Sequence, residues 1–228
     1  MIKLVVLDMA GTTVNEHGDV YRALESSVTA AGATVHVQDL QAWMGVDKTE
    51  AIAALLELGG ISPDPSLVAR QFDLFRQLLA QAYAENPPEA LPGVDAALAE
   101  LRSRGVKIAL STGFSSDVAA PILDTLGWGI GEGELLDAVV TSDMVAAGRP
   151  APYMIHRAME ATGIHDVRTV LAGGDTVVDV LAARHAGVRV LGVLTGALER
   201  GDFAEHYHDW ILDSVAQLPA VLEDEALV

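Results

Sequence analysis

The sequence predicts an α/β protein built on a parallel sheet, with a smaller helical block inserted after the first strand. Apolar strand-like runs recur along the 228-residue chain. After residue 90 they alternate with helical patterns, as successive βα units do. Residues 15–88 break that rhythm with helical periodicity and no convincing strand.

Each element follows from its local pattern. Residues 2–7 are an almost unbroken Ile/Leu/Val run, the signature of a strand covered on both faces. Further strand-like runs fall at 106–110, 138–141, 169–172, 188–193 and 210–212. Helical patterns separate most of them, at 94–104, 117–126, 153–162 and 178–186. Right-handed crossovers then place these strands in one sheet. The insert reads as helices at 20–31, 37–44, 48–58 and 67–84, with Trp43 and Met44 expected in its core. Pro87-Pro88 and Leu91-Pro92-Gly93 mark a rigid return. The expected division is a core of residues 1–14 and 89–228, and a helical second domain of residues 15–88.

Composition narrows the function. Half the residues are hydrophobic, as a globular protein requires, and the net charge is −18. That charge argues against nucleic acid or an anionic membrane surface as partner, since both need local positive charge. Cysteine is absent, which excludes disulfides, thiolate catalysis and Cys-ligated zinc. No segment approaches the roughly 18–20 apolar residues of a membrane span, and the N-terminal run lacks a signal-peptide pattern. A cytoplasmic location is expected.

Four loops that follow predicted strands carry the chemistry: Asp8-Met9-Ala10-Gly11-Thr12, Ser111-Thr112-Gly113, Gly148-Arg149-Pro150, and Gly173-Gly174-Asp175 running on to Asp179. Open α/β sheets place their ligands at the carboxyl ends of the strands. Singly, the loops also read as a turn-forming Asp, a helix cap, a turn and an N-cap. Together they bring carboxylates (Asp8, Asp175, Asp179) and anion-binding groups (Thr112, the Gly113 N–H, Arg149) to one sheet edge. Carboxylates suit Mg²⁺, which commonly binds one or two of them plus water and phosphate. Hydroxyl, backbone N–H and guanidinium suit a phosphoryl or phosphonyl group.

These motifs resemble the haloacid dehalogenase superfamily of aspartate-nucleophile hydrolases, and more closely its phosphonoacetaldehyde hydrolase (phosphonatase) branch. The resemblance spans almost the whole chain in order, through Asp-x-Ala-Gly-Thr-Thr, Ser-Thr-Gly, Gly-Arg-Pro-x-Pro-Tyr and Gly-Asp-x-x-x-Asp. It implies a Rossmann-like core with an inserted helical cap, and a Mg²⁺ cofactor. By position it makes Asp8 the nucleophile and a metal ligand, with the Ala10 carbonyl, Asp175 and Asp179 completing the metal set. Thr112 and Arg149 then hold the substrate's anionic oxygens, and Gly11, Thr12, Met44, Gly45 and Gly113 line the substrate. A homodimer is plausible for this branch by the same resemblance.

Ala10 discriminates within the superfamily. Phosphomonoesterases and phosphomutases carry there an acid that protonates the leaving alkoxide. A methyl group cannot, and losing a positioned acid or base typically costs about 10²–10⁴-fold. A C–P bond instead needs an electron sink, and Lys48 could supply one. Asp47-Lys48-Thr49-Glu50 opens a helix, with Asp47 as N-cap and Lys48 in the first turn. A cation is disfavoured at that positive helix end, which favours the neutral amine a Schiff base requires, although Asp47 and Glu50 oppose the effect. Met44-Gly45-x-x-Lys48 resembles the branch's cap segment that carries such a lysine. The chain departs from the branch at Ala51, where a histidine is usual, at Phe114, where an aromatic hydroxyl is usual, and in its shorter cap.

The leading expectation is a Mg²⁺-dependent C–P hydrolase acting on phosphonoacetaldehyde or a close analogue. The alternatives are a phosphatase for a small phosphorylated metabolite, with Lys48 only recognising substrate, and a catalytically weak phosphometabolite-binding regulatory protein.

Overall fold

The computed structural model describes residues 1–43 and 45–226, which form two compact units. One comprises residues 1–15 and 89–228, the other residues 16–88. The first crossing between units therefore falls one residue later than the sequence pattern suggests.

The chain opens with β1 (Leu4–Asp8) and β2 (Val14–Asn15). The second unit holds α1 (Asp19–Ala30), α2 (Val37–Ala42), α3 (Lys48–Leu58) and α4 (Pro65–Glu85). The chain returns through β3 (Glu89–Ala90), then α5 (Val94–Ser103), β4 (Lys107–Ser111), α6 (Ser116–Leu126) and β5 (Ala138–Val140). It continues through α7 (Tyr153–Thr162), β6 (Val170–Gly174), α8 (Val177–Ala186), β7 (Arg189–Val193), β8 (Trp210–Leu212) and α9 (Leu218–Ala226).

Six strands form one parallel sheet in the order β5-β4-β1-β6-β7-β8. All six fall on the apolar runs of the sequence. Every residue of β1 is buried, as its central place requires. Alternation along the strand sends Leu4 and Val6 to one face, where they join Met154, Ala158, Val180 and Phe203 in a single core cluster. Burying each of the Leu, Val, Met and Phe side chains contributes about 1.5–3 kcal/mol. Val5 and Leu7 point to the opposite face, on which α5 packs against β4.

The second, two-stranded sheet has no sequence signal, because two residues carry no period. β2 and β3 pair antiparallel, with Val14 opposite Ala90 and Asn15 opposite Glu89. The Leu91 N–H donates to the Thr13 carbonyl at 3.0 Å. This ladder ties the outgoing and returning strands together.

In the helical unit α1 packs on α4. Val20, Ala23, Leu24 and Val28, spaced as one helix face, are buried, as are Val68, Phe75 and Leu79 of α4. Ala51, Ile52, Leu55 and Leu56 form the buried stripe of α3. The expected helix over 37–44 is shorter: α2 has six residues and buries none of them. Trp43 is half-buried rather than core, because so short a helix has no continuous face to cover, and Met44 lies outside the described residues. Among the described residues, no helix is long and apolar enough to cross a membrane.

Candidate active site

Asp8 is the last residue of the central strand, and the chain turns sharply after it. The Met9 carbonyl accepts from the N–H groups of Thr12 (3.2 Å), Thr13 (2.9 Å) and Val14 (2.8 Å). Gly11 takes φ of +80° inside this turn, a left-handed conformation that an L side chain resists. A Cβ there would also lie 2.5 Å from Asp175 Oδ2. Glycine is required twice over.

Asp175 follows β6, the neighbour of β1. The Thr12 hydroxyl donates to Asp175 Oδ1 at 2.7 Å and accepts the Asp175 N–H at 2.9 Å. Thr12, expected among the substrate contacts, is thus fully buried and spent on fixing Asp175. Gly174 lets the elements converge, since a Cβ there would sit 2.6 Å from Asp179 Cγ and 2.9 Å from Asp8 Cβ. Asp179 lies in the first turn of α8 and points back, with Oδ2 accepting the Thr176 N–H at 3.1 Å and the Thr176 hydroxyl. The N-cap of α8 is therefore Thr176, not Asp175.

Arg149 enters from the loop before α7. Its Nη1 lies 2.8 Å from Asp8 Oδ1 and also pairs with Asp179 Oδ1. All three side chains are at least 95% buried, with exposures of 3% for Arg149, 5% for Asp8 and 2% for Asp179. His185 Nδ1, 2.8 Å from the Pro150 carbonyl, supports this loop from α8. The guanidinium expected to hold substrate oxygens here binds two carboxylates.

Burial governs the electrostatics. It raises Asp8 from 3.8 to about 6, with Arg149 opposing the rise and Asp179 adding to it. Burial also drives Asp175 well above the usual carboxylate range, helped by the charges of Asp8 and Asp179. For Arg149 burial acts downward, but Asp179 and Asp8 outweigh it and hold the guanidinium firmly protonated.

These residues fit a hard divalent cation. Asp8, Asp175 and Asp179 each offer an oxygen within 4.8 Å of the others, all buried. A cation ligated by all three carboxylates would draw them into the ionised form, and against one guanidinium they would then carry two net negative charges in a buried site. Asp8 Oδ1 has a charge partner in Arg149 but accepts no hydrogen bond. An oxygen-only donor set with that charge matches Mg²⁺. Ala10, whose carbonyl is the remaining expected ligand, belongs to the turn directly after Asp8.

The anion-binding groups share this sheet edge. Ser111 is the register partner of Asp8, so Thr112 and Gly113 follow at the same end of the sheet. The Thr112 N–H donates to the Val140 carbonyl at 3.0 Å, and its hydroxyl accepts the Phe114 N–H at 3.1 Å. Asp8, Arg149, Asp175 and Asp179 are brought together, and Thr112 and Gly113 stand on the same edge. Lys48 and Gly45 belong to the helical unit, while Met44 lies outside the described residues. There Lys48 opens α3 behind Asp47, whose Oδ1 accepts the Thr49 and Glu50 N–H groups at 2.9 and 3.1 Å. Lys48 is only 4% exposed, and its Nζ donates to the Val46 carbonyl at 2.9 Å.

Sequence reasoning missed Thr176 and the strand-to-loop junction after β7, where the Thr195 hydroxyl donates to the Gly11 carbonyl at 2.6 Å. The signal for Thr176 was its three-residue spacing from Asp179. Thr195 had none, since it is 184 residues from its partner.

A buried carboxylate set at the carboxyl edge of a parallel sheet, fed by four successive loops, defines an α/β enzyme. The chain belongs to the haloacid dehalogenase-like hydrolase family, whose model matches residues 2–187. Its relatives include a phosphonoacetaldehyde hydrolase of Bacillus cereus, 30% identical over 226 residues, covering 94% of this chain and 83% of that one. In fold it is similar to a phosphonoacetaldehyde hydrolase-like protein from Oleispira antarctica (TM-score 0.81, 22% identity, 98% and 92% of the two chains). It is also similar to a β-phosphoglucomutase from Clostridium difficile (TM-score 0.82, 18% identity, 100% and 99%).

Proposed function

We propose that this hydrolase cleaves the C–P bond of phosphonoacetaldehyde or a close phosphono-aldehyde, through an aspartyl-phosphate on Asp8 and a Schiff base on Lys48. The observation that carries the reading is Ala10, which leaves the turn after Asp8 without the acid an ester-leaving group needs. The identity to a phosphonoacetaldehyde hydrolase supports it.

Lys48 Nζ adds to the aldehyde carbon and water departs, forming an iminium ion. Asp8 attacks phosphorus, and the C–P electron pair passes into the iminium to give an enamine. Water then releases phosphate from Asp8. Protonation of the enamine carbon and hydrolysis return acetaldehyde and the Lys48 amine. Arg149 keeps the Asp8 carboxylate oriented, while the Thr112 hydroxyl and Gly113 N–H take phosphonyl oxygens. Asp8, Asp175, Asp179 and the Ala10 carbonyl would hold Mg²⁺, which would supply positive charge to offset the negative charge of the transferring phosphonyl group.

Borohydride trapping tests this reading. With phosphonoacetaldehyde present, reduction should inactivate the enzyme and add a two-carbon mass to the peptide bearing Lys48. Absence of any adduct, together with faster phosphate release from esters than from phosphonates, overturns it.

One observation favours a second reading, a phosphatase for a small phosphorylated metabolite. The bond from Lys48 Nζ to the Val46 carbonyl suits an ammonium held as a fixed positive charge for recognition. Phosphate release from a panel of phosphate esters and phosphonates separates the two.

A further inference from the structure

The loop after β7, which is not one of the four motif loops, also reaches the acidic cluster. The Leu194 N–H donates to the Leu212 carbonyl at 3.0 Å, extending the pairing with β8 by one residue. Thr195 and Gly196 then reach the turn that follows β1. The Thr195 hydroxyl donates to the Gly11 carbonyl at 2.6 Å. Gly11 lies between Ala10, whose carbonyl is a proposed ligand, and Thr12, whose hydroxyl grips Asp175. The bond fixes the Gly11–Thr12 peptide, the backbone from which the Thr12 hydroxyl reaches Asp175.

Gly196 acts directly on Asp175. A Cβ built on Gly196 would stand 1.9 Å from Asp175 Oδ2, 2.7 Å from its Cγ and 2.8 Å from its Cβ. Rotating the carboxylate relieves the first of these contacts but not the last. Gly11 approaches the same oxygen, where a Cβ would lie 2.5 Å from Oδ2. With Oδ1 committed to Thr12, the direction in which Asp175 presents its free oxygen is set by these two glycine backbones and one threonine.

We infer that Thr195 and Gly196 are positioning residues for the divalent-cation site, Thr195 by locking the Gly11 peptide and Gly196 by leaving the space that the Asp175 carboxylate fills. The inference rests on the reading that Asp175 is a cation ligand. Partners that orient ligands in this way typically matter by roughly 10–100-fold in metal affinity.

The test is calorimetric titration of the full chain with Mg²⁺, and with Mn²⁺ as a second probe, in the absence of substrate. Asp175→Asn should lose binding. Thr195→Val, which keeps shape and removes the hydroxyl, and Gly196→Ala should each weaken binding by roughly 10–100-fold. Thr195→Ser, which restores the hydroxyl, should bind as the parent does. If Asp175→Asn loses the cation while Thr195→Val and Gly196→Ala keep parental affinity, the positioning roles are refuted and the ligand reading stands. If Asp175→Asn binds as tightly as the parent, the ligand reading falls and takes this inference with it. Should Gly196→Ala fail to fold, the contrast between Thr195→Val and Thr195→Ser decides alone.

Discussion

Arg149 Nη1 lies 2.8 Å from Asp8 Oδ1 and pairs with Asp179 as well, so one buried guanidinium ties the end of the central strand to the first turn of α8. Desolvation makes such a pair expensive to assemble and more expensive to break, because the surviving charges stay buried. Arg149 does not figure among the charges acting on Asp175, whose carboxyl burial pushes well above the usual range. A divalent cation held by Asp8, Asp175 and Asp179 would supply the charge that Arg149 does not bring to Asp175.

Removing the guanidinium should expose that dependence. Arg149→Met, similar in reach and neutral, is expected to lower the stability of cation-free protein at pH 8 by about 3–5 kcal/mol. The loss should shrink at pH 5, where Asp8 takes up a proton, and Mg²⁺ should restore part of it. Urea unfolding at the two pH values measures both. Equal stability of parent and variant at pH 8 would show that the pair contributes nothing net.

The raised pKa of Asp8 predicts a pH dependence of definite sign. Because the folded-state value, about 6, stands above the ordinary 3.8, the folded protein binds the proton more tightly than the unfolded chain. The associated stability is fully present below pH 3.8 and is lost as pH rises through about 6, on the order of 2–3 kcal/mol. Cation-free Asp8→Asn, which cannot titrate, should lack this decline between pH 4 and 7 when the two proteins' melting curves are compared. It should also be inactive, since an amide is a poor nucleophile. A parallel decline in both proteins would assign it to another group.

Lys48→Arg preserves charge but not chemistry. A guanidinium stays protonated and cannot condense with an aldehyde. Turnover of phosphonoacetaldehyde should fall by at least 10²-fold, on the scale of a lost catalytic group, and borohydride trapping should vanish. Circular dichroism checks that the 4% exposed site still folds around the larger side chain. Retention of most of the rate would make Lys48 an electrostatic contact and favour the phosphatase reading.

Ala10→Asp places an acid in the turn after Asp8, positioned to protonate an ester leaving group. Phosphonate turnover should drop, because a further carboxylate enters a cluster that already holds three. Hydrolysis of simple phosphate esters should rise modestly. If the unmodified protein already hydrolyses an ester faster than any aldehyde phosphonate, position 10 does not select the reaction.

The strands were legible because burial on both faces leaves only apolar residues acceptable, as in Leu4–Asp8. The loops were legible because carboxylates, glycines and an arginine directly after such strands have few uses. The β2–β3 ladder was not, being two residues long on each side. Nor was the half-exposed setting of Trp43, because an aromatic residue beside a six-residue helix reads the same whether covered or not.

By itself the sequence determined the order of strands and helices, the helical interruption between β1 and the second run of strands and the residue types gathered at the sheet edge. These depend on local periodicity and on which side chains a buried backbone tolerates. Only the tertiary structure decided who touches whom. Arg149 pairs with Asp8 and Asp179, Thr12 turns inward to Asp175, and Thr195 holds Gly11 across 184 positions of chain. Those contacts arise where β1, β5, β6 and β7 end at the same edge, and their geometry is fixed by strand register and close backbone approach, neither of which leaves a periodic trace in the sequence.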